Sequence, residues 1–320
     1  MILISSQQKI FVVKLLVILC LILIVIIPPS RAFNKKNEKH WLPEWKQLIL
    51  EGEKPLTRFL VRLRIEDESS LLPYPLREIG RDEFKSFGSS KNILLLSAET
   101  VTMSLVLPQE KYEHFVWFRA EDMKAIQRVR WKKSGNKWLK LYRWKDKGVF
   151  RLTLKPRKGR EDALGPGKWT KHYSSFYEYQ LENPKEAEKI VSEPLCLIYQ
   201  VMRLAHQGLK SKVSMLVFGK KTMHTVTVSF KKKKVIKIRF NEDSSNGFIS
   251  KMKKTAVFVY KICARPVAGT KHHETFSLVG LNHNIEIFVE PKSGIITRIR
   301  GDNDVVGHVD LRLVSVVKRR

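Results

Sequence analysis

SEPLCLIYQVMRLAHQG, residues 192–208, is apolar nearly all the way round a helix. Leu195, Ile198, Tyr199, Met202 and Ala205 form a stripe at helical spacing, and Leu197, Val201 and Leu204 widen it beyond a single face. Left exposed, such a helix would present a large sticky patch, so most of its sides must be covered. Ser192 suits an N-cap, Pro194 the first turn and Gly208 the stop, which predicts a helix over about 193–207. Its expected core residues are Pro194, Leu195, Ile198, Tyr199 and Met202.

The cover is written in the flanking sequence. From about residue 91 apolar side chains recur at every second position: Val101, Met103, Leu105 and Leu107; Leu139 and Leu141; Phe150, Leu152 and Leu154. The pattern returns at Val226, Val228 and Phe230, at Ile236, Ile238 and Phe240, and at Val309, Leu311 and Leu313. Alternation of this kind marks half-buried antiparallel strands. Turn chemistry separates them at Ser134-Gly135-Asn136, Asn246-Gly247 and Pro291-Lys292-Ser293-Gly294. One face is aliphatic and the other carries Lys, Arg and Thr, so one side of the sheet is expected to be covered and the other wet. The predicted fold is mainly β: a strongly curved antiparallel sheet or half-barrel over 91–320, wrapping the buried helix. Residues 33–90 read as an N-terminal extension, partly helical or irregular. In it, Trp41, Trp45, Leu48 and Ile49 share one face of a short helix ending near Gly52. A strand-like FLVRLRI (59–65) and a proline-punctuated LLPYPLREIG (71–80) follow.

Glu193, Pro194, Leu195, Tyr199 and Arg203 stand where an exported bacterial family, domain of unknown function 3108, carries an acidic or small residue, proline, leucine, an aromatic residue and a closing arginine. The closing stretch IEIFVEPKSGIITRIRGDNDVVGHVDLRLVSV (285–316), with Gly307 before the last strand, is similar to that family's ending. The resemblance spans about residues 180–320. It implies a fold like the half-barrel of the LolA and LolB lipoprotein carriers, and it implies no activity.

The N-terminus addresses location. Lys9 and Lys14 make a positive n-region, Leu15–Ile27 is an unbroken apolar run, and Pro28-Pro29 ends any helix. Ser30-Arg31-Ala32 then supplies small residues at the positions a signal peptidase reads. Residues 1–32 are therefore expected to be a signal peptide, leaving the protein in the periplasm or cell envelope. The alternative is an inner-membrane protein anchored by residues 11–27, at the short limit for a span. The chain has no Asn-x-Ser/Thr site, which fits a bacterial envelope.

The formal charge is +29, and loss of Lys9, Lys14 and Arg31 with the leader lowers it by three to +26. On an exported protein such a surplus points to anionic membrane lipid, lipopolysaccharide or an acidic envelope polymer, while the leader argues against nucleic acid. Lys220 and Lys221, Lys231, Lys232, Lys233 and Lys234, and Lys251, Lys253 and Lys254 are expected to gather in neighbouring turns as a basic rim. The rival reading of Lys231–Lys234 is a solvated hairpin tip. Trp131, Lys132, Lys133, Trp138, Lys140 and Trp144 interleave aromatics with lysines, as suits an interface, a sugar surface or plain sheet packing.

Catalytic signatures are missing from the sequence: no GxSxG elbow, phosphate loop, dinucleotide fingerprint or HExxH. His272, His273, Glu274 and His283 do not have the spacing of a metal site, and no cofactor is implied. Cys196 and Cys263, both in apolar surroundings, are expected to be buried thiols. Arg300-Gly301-Asp302 is read as a hairpin turn. The leading functional expectation is a non-enzymatic binding or scaffold protein for an amphipathic or anionic envelope ligand. An enzyme acting on envelope glycan is the rival. N-terminal sequencing of protein recovered from envelope fractions should begin at Phe33; an intact Met1 end would instead make this an anchored protein.

Overall fold

A computed structural model of the chain describes residues 41–67, 92–105, 108–179, 191–244, 247–268 and 274–319. The expected leader, the proline-punctuated 71–80 stretch and His272-His273 lie outside the described residues. Among the described residues no helix is long and apolar enough to cross a membrane.

Eight strands come before the helix: β1 (Trp45–Lys54), β2 (Thr57–Asp67), β3 (Ile93–Ser104), β4 (Glu110–Arg119), β5 (Ala125–Lys132), β6 (Trp138–Lys145), β7 (Gly148–Lys155) and β8 (Lys171–Glu178). A two-residue strand, β9 (Val191–Ser192), leads into the one α-helix of the described residues, α1 (Cys196–His206). Six more follow: β10 (Lys212–Phe218), β11 (Met223–Ser244), β12 (Gly247–Pro266), β13 (His283–Val289), β14 (Ile296–Asn303) and β15 (Gly307–Lys318). All fifteen join one sheet, mostly antiparallel, in the order β8-β7-β6-β5-β4-β3-β2-β1-β15-β14-β13-β12-β11-β10-β9. A second pairing, Asn241–Asp243 parallel to Ser315–Val317, closes β11 to β15 into a ring. The mainly β, strongly curved sheet expected from the alternation is the observed architecture, and Leu42–Arg320 is one compact unit.

The helix is enclosed: Cys196 to Met202, Leu204 and Ala205 are all buried, as are Pro194 and Leu195 ahead of it. Its stop is a Schellman motif. Gly208 takes φ +67°, its N–H donates to the Ala205 carbonyl, and Leu209 N–H donates to that of Leu204. Its start differs from expectation. Ser192 belongs to β9, and the cap position is Leu195, whose N–H donates to the Glu193 carboxylate at 2.5 Å. The acidic side chain replaces the serine hydroxyl because Pro194 and Leu195 form a turn before the helix begins.

Four further expectations are corrected. The short helix at 41–52 is β1, between β15 and β2. Trp45 and Leu48 are both buried, three residues apart, because a bulge between Trp45 and Gln47 inserts an extra residue and makes a strand imitate helical spacing. The sheet domain therefore includes β1 and β2 of the supposed extension. Next, Lys231–Lys234 lie in the middle of β11, not at a tip: alternation broke because of a bulge between Phe230 and Lys232. Cys263 is exposed, and only Cys196 is buried. Finally, Arg300-Gly301-Asp302 runs within β14, where a Cβ at Gly301 would sit 2.8 Å from the His283 carbonyl oxygen.

Nor is one face of the sheet simply wet. On β4–β7, Trp117, Val129, Leu139, Leu141, Leu152 and Leu154 form one core, covered by Trp169. Alternate residues on the other face, Ala125, Tyr142, Trp144 and Val149, pack against Val191, Leu216, Phe218 and Met223. These strands are therefore buried on both sides. Leu195→Asp or Tyr199→Asp would bury an unpaired carboxylate, and each should abolish soluble expression. Parental yield and melting temperature in both variants would refute the enclosure of α1.

Candidate functional site

Where β4, β5 and β6 face the entrance to α1, a cleft of about 440 Å³ opens. Register builds it in rows. His114, Arg130 and Lys140 are cross-strand neighbours; Val116, Arg128, Tyr142 and Arg151 form the next row; Tyr112, Lys132 and Trp138 form a third. The two-residue step of each strand puts all three rows on the face that meets Glu193, Pro194 and Leu195.

Arg128 is the deepest cation, 1 % exposed. Its guanidinium donates to Glu193 Oε1 at 3.1 Å and to the carbonyls of Phe218 (3.4 Å) and Gly219 (2.7 Å). It also lies 3.8 Å from the centroid of the Tyr142 ring. Its Nε and the Tyr142 hydroxyl are buried with no hydrogen-bond partner among the described residues. Arg130 and Lys140 flank Trp138, at 5.7 and 4.3 Å from its ring, and Lys132 lies 5.2 Å from that of Tyr112. Each cation thus rests on an aromatic face; Lys132 also pairs with Glu110 at 2.6 Å, whereas Arg130 and Lys140 rest on Trp138 with no ion pair among the described residues.

The titration behaviour follows from that crowding. Burial holds Arg130 below its ordinary value, with the Arg128 charge adding to it. Burial lowers Lys140 as well, and Arg130 and Arg151 add to it. Burial alone would raise Tyr142, but Arg128, Arg130, Lys140 and Arg151 together outweigh it and the phenol is lowered. Burial, then the charges of Arg130 and Arg128, pushes His114 well below 6.5. Its Nε2 accepts a hydrogen bond from Arg130 Nε at 3.2 Å, which a protonated ring nitrogen cannot do. The arrangement suits an anion carrying apolar or ring surface. The carboxylates of the cleft are engaged: Glu193 by Arg128, and Asp304 by His283 at 3.1 Å.

The nine lysines read from the sequence do not form one rim. Lys220 lines the cleft. Lys221 lies 3.9 Å from Glu274. Lys231 pairs with Glu286 at 2.5 Å, which Arg300 shares. Lys251 and Lys253 pair with Glu242 and Glu290 at 2.6 and 2.9 Å. Lys232, Lys233, Lys234 and Lys254 are exposed along the β11–β12 pair. Of the core set, Pro194 and Leu195 line the cleft while Ile198, Tyr199 and Met202 are buried in α1. Of the tryptophan–lysine series, Trp138 and Lys140 reach the cleft. Arg128, Arg130, His114 and Tyr112 were not singled out from sequence. The available signal was QRVRW (127–131), whose alternation sets two guanidinium groups on one face. Among the described residues, no group of three or more His, Cys, Asp or Glu is placed to hold a metal ion.

No family model matches the chain and no curated protein matches it. Among solved structures, it is similar to a β-barrel-like protein of domain of unknown function DUF1849 from Brucella abortus. Identity is 10 %, the match covers 88 % of this chain and 99 % of that one, and the TM-score is 0.48.

A histidine held neutral in the fold protonates first in the unfolded chain. Its contribution to stability is therefore complete above about pH 6.5 and is lost as pH falls below that value. The His114 ring should read as neutral at pH 6 in NMR, and His114→Gln should flatten the fall in stability below pH 6.5. A ring already protonated at pH 6 would contradict the cleft's electrostatics.

Proposed function

We propose that this is an exported envelope protein of the binding class, whose cleft receives an anionic, amphipathic ligand of the cell envelope. The observation that carries the reading is the cation cluster Arg128, Arg130 and Lys140 set on aromatic rings, where Glu193 is the carboxylate that pairs with one of the three. In a partly buried site such a surplus is costly until an anion enters, and the Trp138 and Tyr112 rings offer faces to apolar or sugar surface. The chemistry fits a phosphorylated lipid headgroup, a lipopolysaccharide fragment or an acidic glycan, all of which an envelope supplies. The signal peptide read at residues 1–32 and the kinship with domain of unknown function 3108 belong to the same proposal. Glycan hydrolysis asks for two free carboxylates at a set separation. The engagement of Glu193 and Asp304 favours binding over that chemistry.

Native mass spectrometry of protein purified from its own envelope tests the proposal. The parent should carry an added anionic mass, and Arg130→Gln with Lys140→Gln should lose it while melting near the parent, because neither group is fully buried. A parent without added mass, or a double variant that retains it, would overturn the assignment of the cleft.

A further inference from the structure

The β11–β12 pair outruns the rest of the sheet, at 22 and 20 residues. In its far half Lys237 stands opposite Lys254, Arg239 opposite Met252, and Asp243 opposite Phe248. Residues directly opposite, and those two apart along a strand, share a face. Val235, Lys237 and Arg239 of β11 therefore lie on one side with Phe248, Met252 and Lys254 of β12. On the other side Ile238 and Phe240 are buried. The first side is open: Phe248 is 71 %, Met252 58 % and Val235 53 % exposed, and Lys237, Arg239 and Lys254 are exposed with them.

Two features of this face are costly in water and call for an occupant. Lys237 and Lys254 are like charges directly opposite each other, an arrangement that destabilises a sheet. None of Lys237, Arg239 and Lys254 has an acidic partner among the described residues, whereas Lys251 and Lys253 on the other face are each paired with a glutamate. Met252 lies opposite Arg239 and two residues from Lys254, Val235 lies two residues from Lys237, and Phe248 extends the apolar side toward the hairpin end, opposite Asp243. The face's described carboxylate, Asp243, lies toward the hairpin end.

We propose that this face docks on an anionic lipid bilayer, with Phe248, Met252 and Val235 entering the boundary between headgroups and acyl chains. Lys237, Arg239 and Lys254 then meet lipid phosphates, which relieves the Lys237–Lys254 repulsion. A soluble polyanion would use the cations and leave the apolar groups in water. An apolar protein groove would leave three unpaired cations. A charged bilayer surface satisfies both sets at once, as it does for interfacial amphipathic segments. The inference is independent of the cleft, which lies on other strands.

The test is partition of the full chain onto phosphatidylcholine vesicles with and without phosphatidylglycerol, comparing variants in one background. Each cation near an anionic surface contributes about fivefold, so Lys237→Gln, Arg239→Gln and Lys254→Gln together should weaken partition onto anionic vesicles by about 100-fold at low salt. Phe248→Ser with Met252→Ser should remove the binding that survives physiological salt, where exposed charges are screened. Neither set touches the buried side, so circular dichroism and melting should stay at the parent's level; single Met252→Ser is a milder check. Arg130→Gln with Lys140→Gln should partition like the parent, which keeps failure of this proposal separate from failure of the cleft. Parental partition by both hairpin variants would overturn it. So would an equal loss on purely zwitterionic vesicles, or a loss confined to binding of a soluble acidic polysaccharide.

Discussion

The ion pair between Arg128 and Glu193 is the contact on which the rest of the molecule depends. It joins β5 of the sheet to the residue ahead of the helix, and both partners are almost wholly buried. Removing two charges from water costs several kcal/mol each, and further hydrogen bonds to both groups offset it, with Arg128 Nε left without a partner among the described residues. Arg128 adds two carbonyls at the end of β10, and Glu193 adds the Leu195 N–H that starts the turn into α1. Arg128 thus ties β5 to the start of α1 and the end of β10, 65 and 91 residues further along the chain. It also explains why the helix opens on a carboxylate that is not its own cap.

The pair leaves a charge imbalance around it. Arg130, Lys140 and Arg151 lie near Arg128, and Glu193 neutralises one charge. Aromatic rings under Arg128, Arg130, Lys140 and Arg151 spread the cost without cancelling it. Burial is the first cause that lowers His114, Arg130 and Lys140, and the neighbouring cations lower them further. Binding an anion there would answer a need already present in the fold, and this gives the cleft more weight than its size alone.

The C-terminal half answers a different constraint. Five strands close on themselves only because β11 is long enough to pass the end of β14 and reach Ser315–Val317 of β15. Glu242 secures that junction, bridging Lys251 and Lys318 at 2.6 and 3.3 Å, and the two lysines hold its carboxyl below the usual range despite burial. The same length that closes the ring carries the hairpin's outer face beyond its neighbours.

The apolar helix, its glycine stop, the antiparallel strands and the curvature were legible in residues 192–208 and in the alternating runs, because burial on one stripe or one face leaves a period in the sequence. Bulges erase that period: one at Trp45–Gln47 made β1 read as a helix, and one at Phe230–Lys232 cut β11 in two. Arg128 and Arg130 occupy positions where alternation implies solvent, and whether such a face meets water or a helix entrance is a long-range fact. Likewise, which lysines find a glutamate depends on register between strands far apart in the chain: Lys231 meets Glu286 and Lys253 meets Glu290, while Lys237 meets Lys254. The sequence by itself determined most of the elements and the surplus of positive charge. Only the tertiary structure decided where that charge is concentrated, because cross-strand register, unlike periodicity, is set by contacts that no local stretch encodes.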